Sequence, residues 1–334
     1  MSAPLSTSTP PSATQPCQIQ PGEALIFLHL MKTGGHTLHK LMRHKYDVTR
    51  RFYYSQRPGR TLADFQALTI EQRDRLRFIH GHLDFGFHEM LNQPCTYVTL
   101  LRHPIKRIVS LYYFVYFHPS RYDPVNNPPI SFRDYISPER ILVDNGQTRK
   151  IAGQASQDFP FGGCTSELLD IAKRNLRDRF LMVGITERFD ESLVMLRHLV
   201  GLNTLLHTRA NTNPAKPKSD PLSEADIELA IAHHQFDLEL YDYGNQLLDQ
   251  QIASLGDAFQ RELSLFRNAN AQFRSAHADL ERSRDRLKAV RQKNRKIRRH
   301  QNEVQAELEQ QQQTLSMLKT SKFWWLWRKL SKLS

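Results

Sequence analysis

Three short clusters hold residue types suited to handling anions: Lys32-Thr33-Gly34-Gly35-His36-Thr37, His80-Gly81-His82 and Arg102-His103-Pro104. In the first, one cation and two threonine hydroxyls flank a glycine pair. A strand, a glycine turn and a helix in succession present backbone N–H groups and a helix N-terminus to a phosphate or a chemically similar group. The loop is not a Walker A motif, whose lysine follows the second glycine; here Lys32 precedes the pair. The second cluster spaces two imidazoles one residue apart. The third joins a guanidinium to a proline that can open a helix.

These clusters need elements to hold them. Ala24-Leu25-Ile26-Phe27-Leu28 is an apolar run short enough for a buried strand, and residues 36–45 then repeat Leu38, Leu41 and Met42 at helical spacing. Strands are also expected over 77–82, 96–101 and 179–184, and helices over 69–74, 132–136, 138–144, 166–176, 189–201, 223–231 and 236–247. After Pro104, the spacing of Ile105, Ile108, Val109, Tyr112 and Tyr113 predicts another helix. Residues 46–62, basic and aromatic, read as a surface loop. Each cluster then follows the carboxyl end of a strand, where open α/β sheets bind ligands. The fold expected is an α/β three-layer P-loop-like domain with a central parallel sheet, followed by a C-terminal α-helical coiled coil.

The 334 residues carry 46 Lys and Arg against 34 Asp and Glu, a net charge of +12, which suits an anionic ligand or surface. Cys17, Cys95 and Cys164 are too scattered for a zinc site or a disulfide framework, and no metal is expected. Residues 1–20 are Ser/Thr/Pro-rich and read as a disordered leader, with residues 21–249 as the catalytic domain. With neither a signal-like segment nor a membrane span in view, the expectation is a cytoplasmic protein, peripheral at a membrane. From residue 250 to 318 a heptad places Ile252, Phe259, Phe266, Phe273, Leu280, Leu287, Asn294, Gln301, Leu308 and Leu315 on one seam. That pattern argues for a coiled coil that joins copies of the chain. Its basic run reads as a solvated face, so nucleic acid is not expected as a partner. Residues 319–334 hold all three tryptophans among basic residues, which suits either a membrane interface or the protein's own surface.

Taken together and in order, KTGGHTL, FIHGHLDFGF and TLLRHPIKRIVSLYYFVYF resemble the carbohydrate 2-O-sulfotransferase family, over about residues 24–248. Gly184–Leu196, GITERFDESLVML, is similar to a later part of that family. The resemblance implies 3′-phosphoadenosine 5′-phosphosulfate (PAPS) as sulfate donor and a glycan hydroxyl as acceptor. It implies a phosphosulfate loop at Lys32, Thr33, Gly34, Gly35, His36 and Thr37, and a 3′-phosphate site at Arg102 and Ser110. It nominates His82 as general base, His80 as its assistant or a substrate contact, and Lys32 as the cation at the leaving oxygen. On an extended segment His80 and His82 would point the same way. The chain departs from the family pattern at Met31 (Pro in the family), His36 (Thr or Ser) and His103 (Asp). The alternative is an inactive nucleotide-binding adaptor, or a coiled-coil protein of the membrane surface.

Overall fold

The computed structural model describes residues 18–117, 123, 125, 128–137, 144–153, 159–208 and 222–320. Its centre is a five-stranded sheet of β1 (Ala24–Leu28), β2 (Arg51–Tyr54), β3 (Phe78–Gly81), β4 (Cys95–Leu101) and β5 (Phe180–Ile185), in the order β2-β3-β1-β4-β5. Every pairing is parallel. β1 is central and wholly buried, which is why it reads as an unbroken apolar run rather than an alternating one. From β1 the chain first builds β2 and β3 on one side, then β4 and β5 on the other. The reversal falls at β1, so the loop after β1 lies at the switch point.

The helices are α1 (Gly35–Lys45), α2 (Leu62–Gln66), α3 (Ile70–Asp74), α4 (Pro104–Phe117), α5 (Phe132–Tyr135), α6 (Gly146–Ala152), α7 (Ser166–Arg179), α8 (Phe189–Val200), α9 (Glu224–Ala232) and α10 (Gln235–Thr320). Thr61, Thr69 and Ser223 close capping boxes with Asp64, Gln72 and Asp226. The main core joins the sheet to α1, α7 and α8, with Leu38, Met42, Leu169, Leu176 and Leu196 buried against it. A second, aromatic cluster around Tyr112, Tyr116, Phe132 and Tyr135 holds α4 to α5 and α9.

Several expectations change. Residues 46–62 are not wholly loop: Arg51–Tyr54 pair with β3 as an edge strand, with Phe52 packed edge-on against Phe65 at 5.0 Å. Four residues in a basic context are too few to show strand periodicity. Helices α2 and α6 are additional. The helix expected over 138–144 falls mostly outside the described residues, as do residues 1–17 of the leader and 321–334 of the tail.

Two compact units divide after Phe273, not after residue 249. Phe259 and Phe266, assigned from their spacing to a coiled coil, are buried in the core of the first unit, and Leu263 is buried between them. A coiled-coil seam and a core-facing helical stripe share nearly the same period, so spacing alone does not separate them. Gly256 (φ 59°, ψ −149°) interrupts α10 ahead of this stretch. In the second unit the helix continues to Thr320 with its apolar seam residues solvent-exposed.

Candidate active site

The loop from β1 to α1 is tightly held. Lys32 takes a left-handed conformation (φ 67°), unusual outside glycine, and Gly34 follows with φ 83° as the N-cap of α1. No side chain caps that helix. The loop's carbonyl oxygens, by contrast, have protein donors. Leu30 O accepts from Thr33 Oγ1 (2.9 Å), Lys32 O from Arg102 Nη1 (2.9 Å), Thr33 O from Thr186 Oγ1 (2.7 Å) and Gly34 O from the Thr37 N–H (3.1 Å). With these four acceptors occupied, the polarity left to the loop is mostly that of N–H donors at an uncapped helix N-terminus. That is the electrostatic requirement for an anion. The Thr33 hydroxyl is buried and turned inward, so Thr33 brings its backbone to the loop and not the hydroxyl that its residue type suggested.

Two cations border this cradle. Lys32 Nζ sits 4.1 Å over the Phe114 ring of α4. Burial, and then the neighbouring Arg102 guanidinium, push its pKa down to about 8. Arg102 follows β4. Its main chain is clamped by Gln147 of α6, which accepts from the Arg102 N–H (3.0 Å) and donates to Arg102 O (2.9 Å). Its Nε is buried without a hydrogen bond and lies 3.9 Å from Glu187. Ser110 lies one helical turn before Phe114 and so on the same side of α4. A guanidinium close enough to lower the lysine pKa, with its own Nε–H unsatisfied, makes a pair that fits a polyanionic ligand better than an empty surface.

The histidines divide into two stacks. His80 on β3 is 4% exposed and stacks on His39 of α1 (4.1 Å) and Tyr53 of β2 (4.6 Å). Burial, then His39 and the arginines at 51, 60 and 43, push its pKa down to about 3. His82, past the end of β3, is solvent-exposed and stacks on His29 (4.6 Å). Its Nδ1 lies 2.7 Å from His29 O. A carbonyl oxygen only accepts, so Nδ1 carries the proton and the neutral ring turns an unprotonated Nε2 outward. Desolvation lowers the His82 pKa, the His29 carbonyl partly offsets this, and Lys150 and His36 lower it again. The two rings therefore do not act side by side, as an extended segment would have placed them. His36 is exposed on the first turn of α1, with its ring edge-on to His39 at 6.4 Å.

Sequence reading missed several residues of this site. His29 packs beneath the loop, and Gly35 is glycine for that reason: a Cβ there would lie 2.1 Å from the His29 ring. Thr186, after β5, donates its hydroxyl between Thr33 O and Leu101 O (2.9 Å) and so ties β4 to the loop. Its place at a strand end, within the family-like segment Gly184–Leu196, signalled it without giving a role. Asp237 anchors α6 by accepting from the Gln147 and Thr148 N–H groups (3.0 and 2.7 Å) and the Thr148 hydroxyl (2.9 Å). It also faces Arg107 at 3.5 Å. No group of His, Cys, Asp or Glu able to hold a metal occurs among the described residues.

An α/β domain with an anion cradle at its switch point and an oriented imidazole at the adjacent strand end defines a protein that handles a phosphate-like group. More narrowly, the chain belongs to the galactose-3-O-sulfotransferase family, whose model matches residues 2–309. It is 27% identical over 273 residues to galactose-3-O-sulfotransferase 3 of Bos taurus, covering 73% of this chain and 61% of that protein. It is 27% identical over 195 residues to heparan sulfate 2-O-sulfotransferase 1 of Xenopus laevis, covering 50% of this chain and 53% of that one. The chain thus spans about three fifths or less of the length of these curated relatives. A mouse sulfotransferase, SULT7A1, solved with PAP, matches 65% of this chain and 66% of its own at 13% identity and a TM-score of 0.33.

The family corrects the expected compartment. These galactose and heparan sulfate sulfotransferase relatives are lumenal Golgi enzymes, which overturns the cytoplasmic assignment. That assignment rested on the absence of an apolar span. Among the described residues no helix is long and apolar enough to cross a membrane, a fact that does not fix the compartment.

Proposed function

We propose that this chain transfers a sulfuryl group from PAPS to a hydroxyl of a carbohydrate acceptor. The observation that carries this reading is the paired arrangement at the ends of β1 and β3: a loop with four of its carbonyls already occupied, bordered by Lys32 and Arg102, and His82 with its proton fixed on Nδ1. Membership of a carbohydrate sulfotransferase family supports it. Bound at the loop, PAPS would supply the sulfuryl group for an in-line displacement.

The chain's own residues have separate tasks. The N–H groups of Gly34, Gly35 and His36, at the start of α1, hold the 5′ end of the donor. Lys32 leaves Phe114 to neutralise the charge that grows on the departing oxygen. Arg102 and Ser110 take the 3′-phosphate, and Arg102 does so with the guanidinium N–H now unsatisfied. His82 Nε2 receives the acceptor hydroxyl's proton, while the His29 carbonyl steadies the imidazolium through Nδ1. His80, held neutral in its stack, positions β3 and α1 rather than moving a proton. A homo-oligomer formed through the C-terminal helix completes the reading.

The test is transfer from labelled PAPS to a panel of glycans, beside calorimetric binding of PAP. Transfer should be abolished by His82→Ala with PAP affinity unchanged, and both should fall with Arg102→Ala. Full transfer by His82→Ala would remove the base assignment. PAP binding without turnover on any acceptor would leave the chain a nucleotide-binding adaptor.

A further inference from the structure

We propose that the C-terminal helix pairs with the same helix of a second copy of this chain, and that the two strands run antiparallel. Leu280, Leu287, Val290, Ile297, Val304, Leu308 and Leu315 line one seam at heptad spacing and are each 45–57% exposed. A seam this regular is built for a helical partner rather than for solvent. Of the polar members of the same seam, Ser283, Asn294, Gln301 and Gln311, the three amides specify the register.

The flanking charges identify both partner and direction. The stretch 284–299 carries nine Lys and Arg with one acid, Asp285, whereas Glu303, Glu307 and Glu309 lie beyond it. In a parallel in-register pair, each flanking residue meets the partner's residue five positions on. That sets Arg286 against Arg291 of the partner subunit and Lys293 against Arg298 of the partner subunit, repulsions at the positions that select partners. Running the second copy the other way removes both and, in the register below, leaves one like-charge pair on the flanks, Arg284 with Lys319 of the partner subunit.

One antiparallel register also fits the seam. Opposing Ile297 to the partner's Leu308 brings Val290 onto the partner's Leu315 and Asn294 onto the partner's Gln311, polar against polar. Only Gln301 meets an apolar residue, the partner's Val304. On the flanks His300 then faces the partner's Glu307, and Lys293, Arg291 and Arg298 face the partner's Thr314, Gln312 and Gln305. Shifting this register by a heptad in one direction opposes Asn294 to the partner's Val304; shifting it in the other sets Glu307 against the partner's Glu307.

The full-length chain tests this without reference to its activity. Light scattering on a sizing column should give twice the chain mass. Ile297→Lys should return it to the monomer mass while the thermal melt of the first unit, followed by circular dichroism, is kept. Chains carrying Ile297→Cys and Leu308→Cys are then mixed and mildly oxidised, and the disulfide is mapped by peptide mass spectrometry. A 297–308 link between copies is the expected product. A 297–297 link, a monomeric wild-type chain at tens of micromolar, or a trimer or tetramer would each overturn the proposal.

Discussion

Gly35→Ala offers the sharpest probe of how the loop and the proposed base, His82, are joined. A methyl group at this position would stand 2.1 Å from Cδ2 and 2.2 Å from Nε2 of His29. Ordinary carbon contacts need about 3.5 Å, so the His29 ring must retreat by about 1.5 Å. It cannot do so without disturbing the 4.6 Å stack on His82. The clash is with the end of a side chain, so the stability loss should sit at the low end of overpacking, about 1 kcal/mol, or about 2–4 °C in melting temperature. The effect on turnover should be larger, since a base displaced by about 1 Å costs on the order of 100-fold. Removing the obstacle should restore the lost rate: in a His29→Ala background the Gly35→Ala change should cost less than about 3-fold, because the carbonyl that holds His82 Nδ1 belongs to the backbone and stays. The assay is sulfate transfer from labelled PAPS for the four members of the double-mutant cycle, with melting temperatures measured in parallel. Equal losses in both backgrounds would show that Gly35 acts on the ligand directly and that His29 does not couple the loop to the base.

Three further outcomes are expected. The pH profile of kcat/KM should be bell-shaped: an acid limb below 6.5, where His82 becomes protonated and loses its acceptor nitrogen, and a basic limb near pH 8, where Lys32 loses its charge. Lys32→Arg should move the basic limb upward; a limb that stays in place belongs to another group. Thr186→Val should lower stability by about 1–3 kcal/mol, because the hydroxyl shared by Thr33 O and Leu101 O is lost, and should weaken PAP binding several-fold by calorimetry. Asp237→Ala should cost about 3–5 kcal/mol in urea unfolding, since it takes the carboxylate from a buried guanidinium and from the start of α6, while Asp237→Asn should keep part of this.

Much of the fold was legible because it is written in local runs. β1, β4 and β5 announce themselves as apolar stretches, and the Pro104 helix by its period of aromatic and aliphatic residues. Lys32, Arg102 and His82, the residues of the proposed site, were nominated from sequence for a different reason: rare residue types fall at strand ends, where a parallel sheet puts its chemistry. The supporting residues were not. Thr186 reaches a carbonyl 153 positions away, and Asp237 donor groups 89 and 90 away. Nothing in their local sequence marks a partner at that distance. The limit of the heptad was the same. Phe259 and Leu280 share one seam position, and the period cannot say whether a core or a second helix covers each of them. The fold gives Phe259 to the core and leaves Leu280 exposed.

The pair His80 and His82 shows how far environment outweighs residue type. Strand alternation puts both on one face and would let them share a proton. Gly81 between them has φ 152°, and a Cβ there would strike Tyr54 O at 2.2 Å, so the backbone of β3 runs close against β2 at this point. The chain leaves the sheet immediately afterwards, and His82 swings onto His29 at the end of β1 while His80 stays within the layer of His39 and Tyr53. A ring pushed to about 3 by burial is neutral throughout the working range and has no proton to exchange. A stability consequence follows with its sign fixed. The folded pKa of His80 lies below its unfolded value of 6.5, so below that pH the unfolded chain binds a proton that the folded chain refuses. Stability is therefore full above pH 6.5 and is lost as pH falls toward 3, by about 1.4 kcal/mol per unit for this ring. One imidazole thus stiffens this end of the sheet at the expense of acid tolerance, and its neighbour two residues on is the one left exposed.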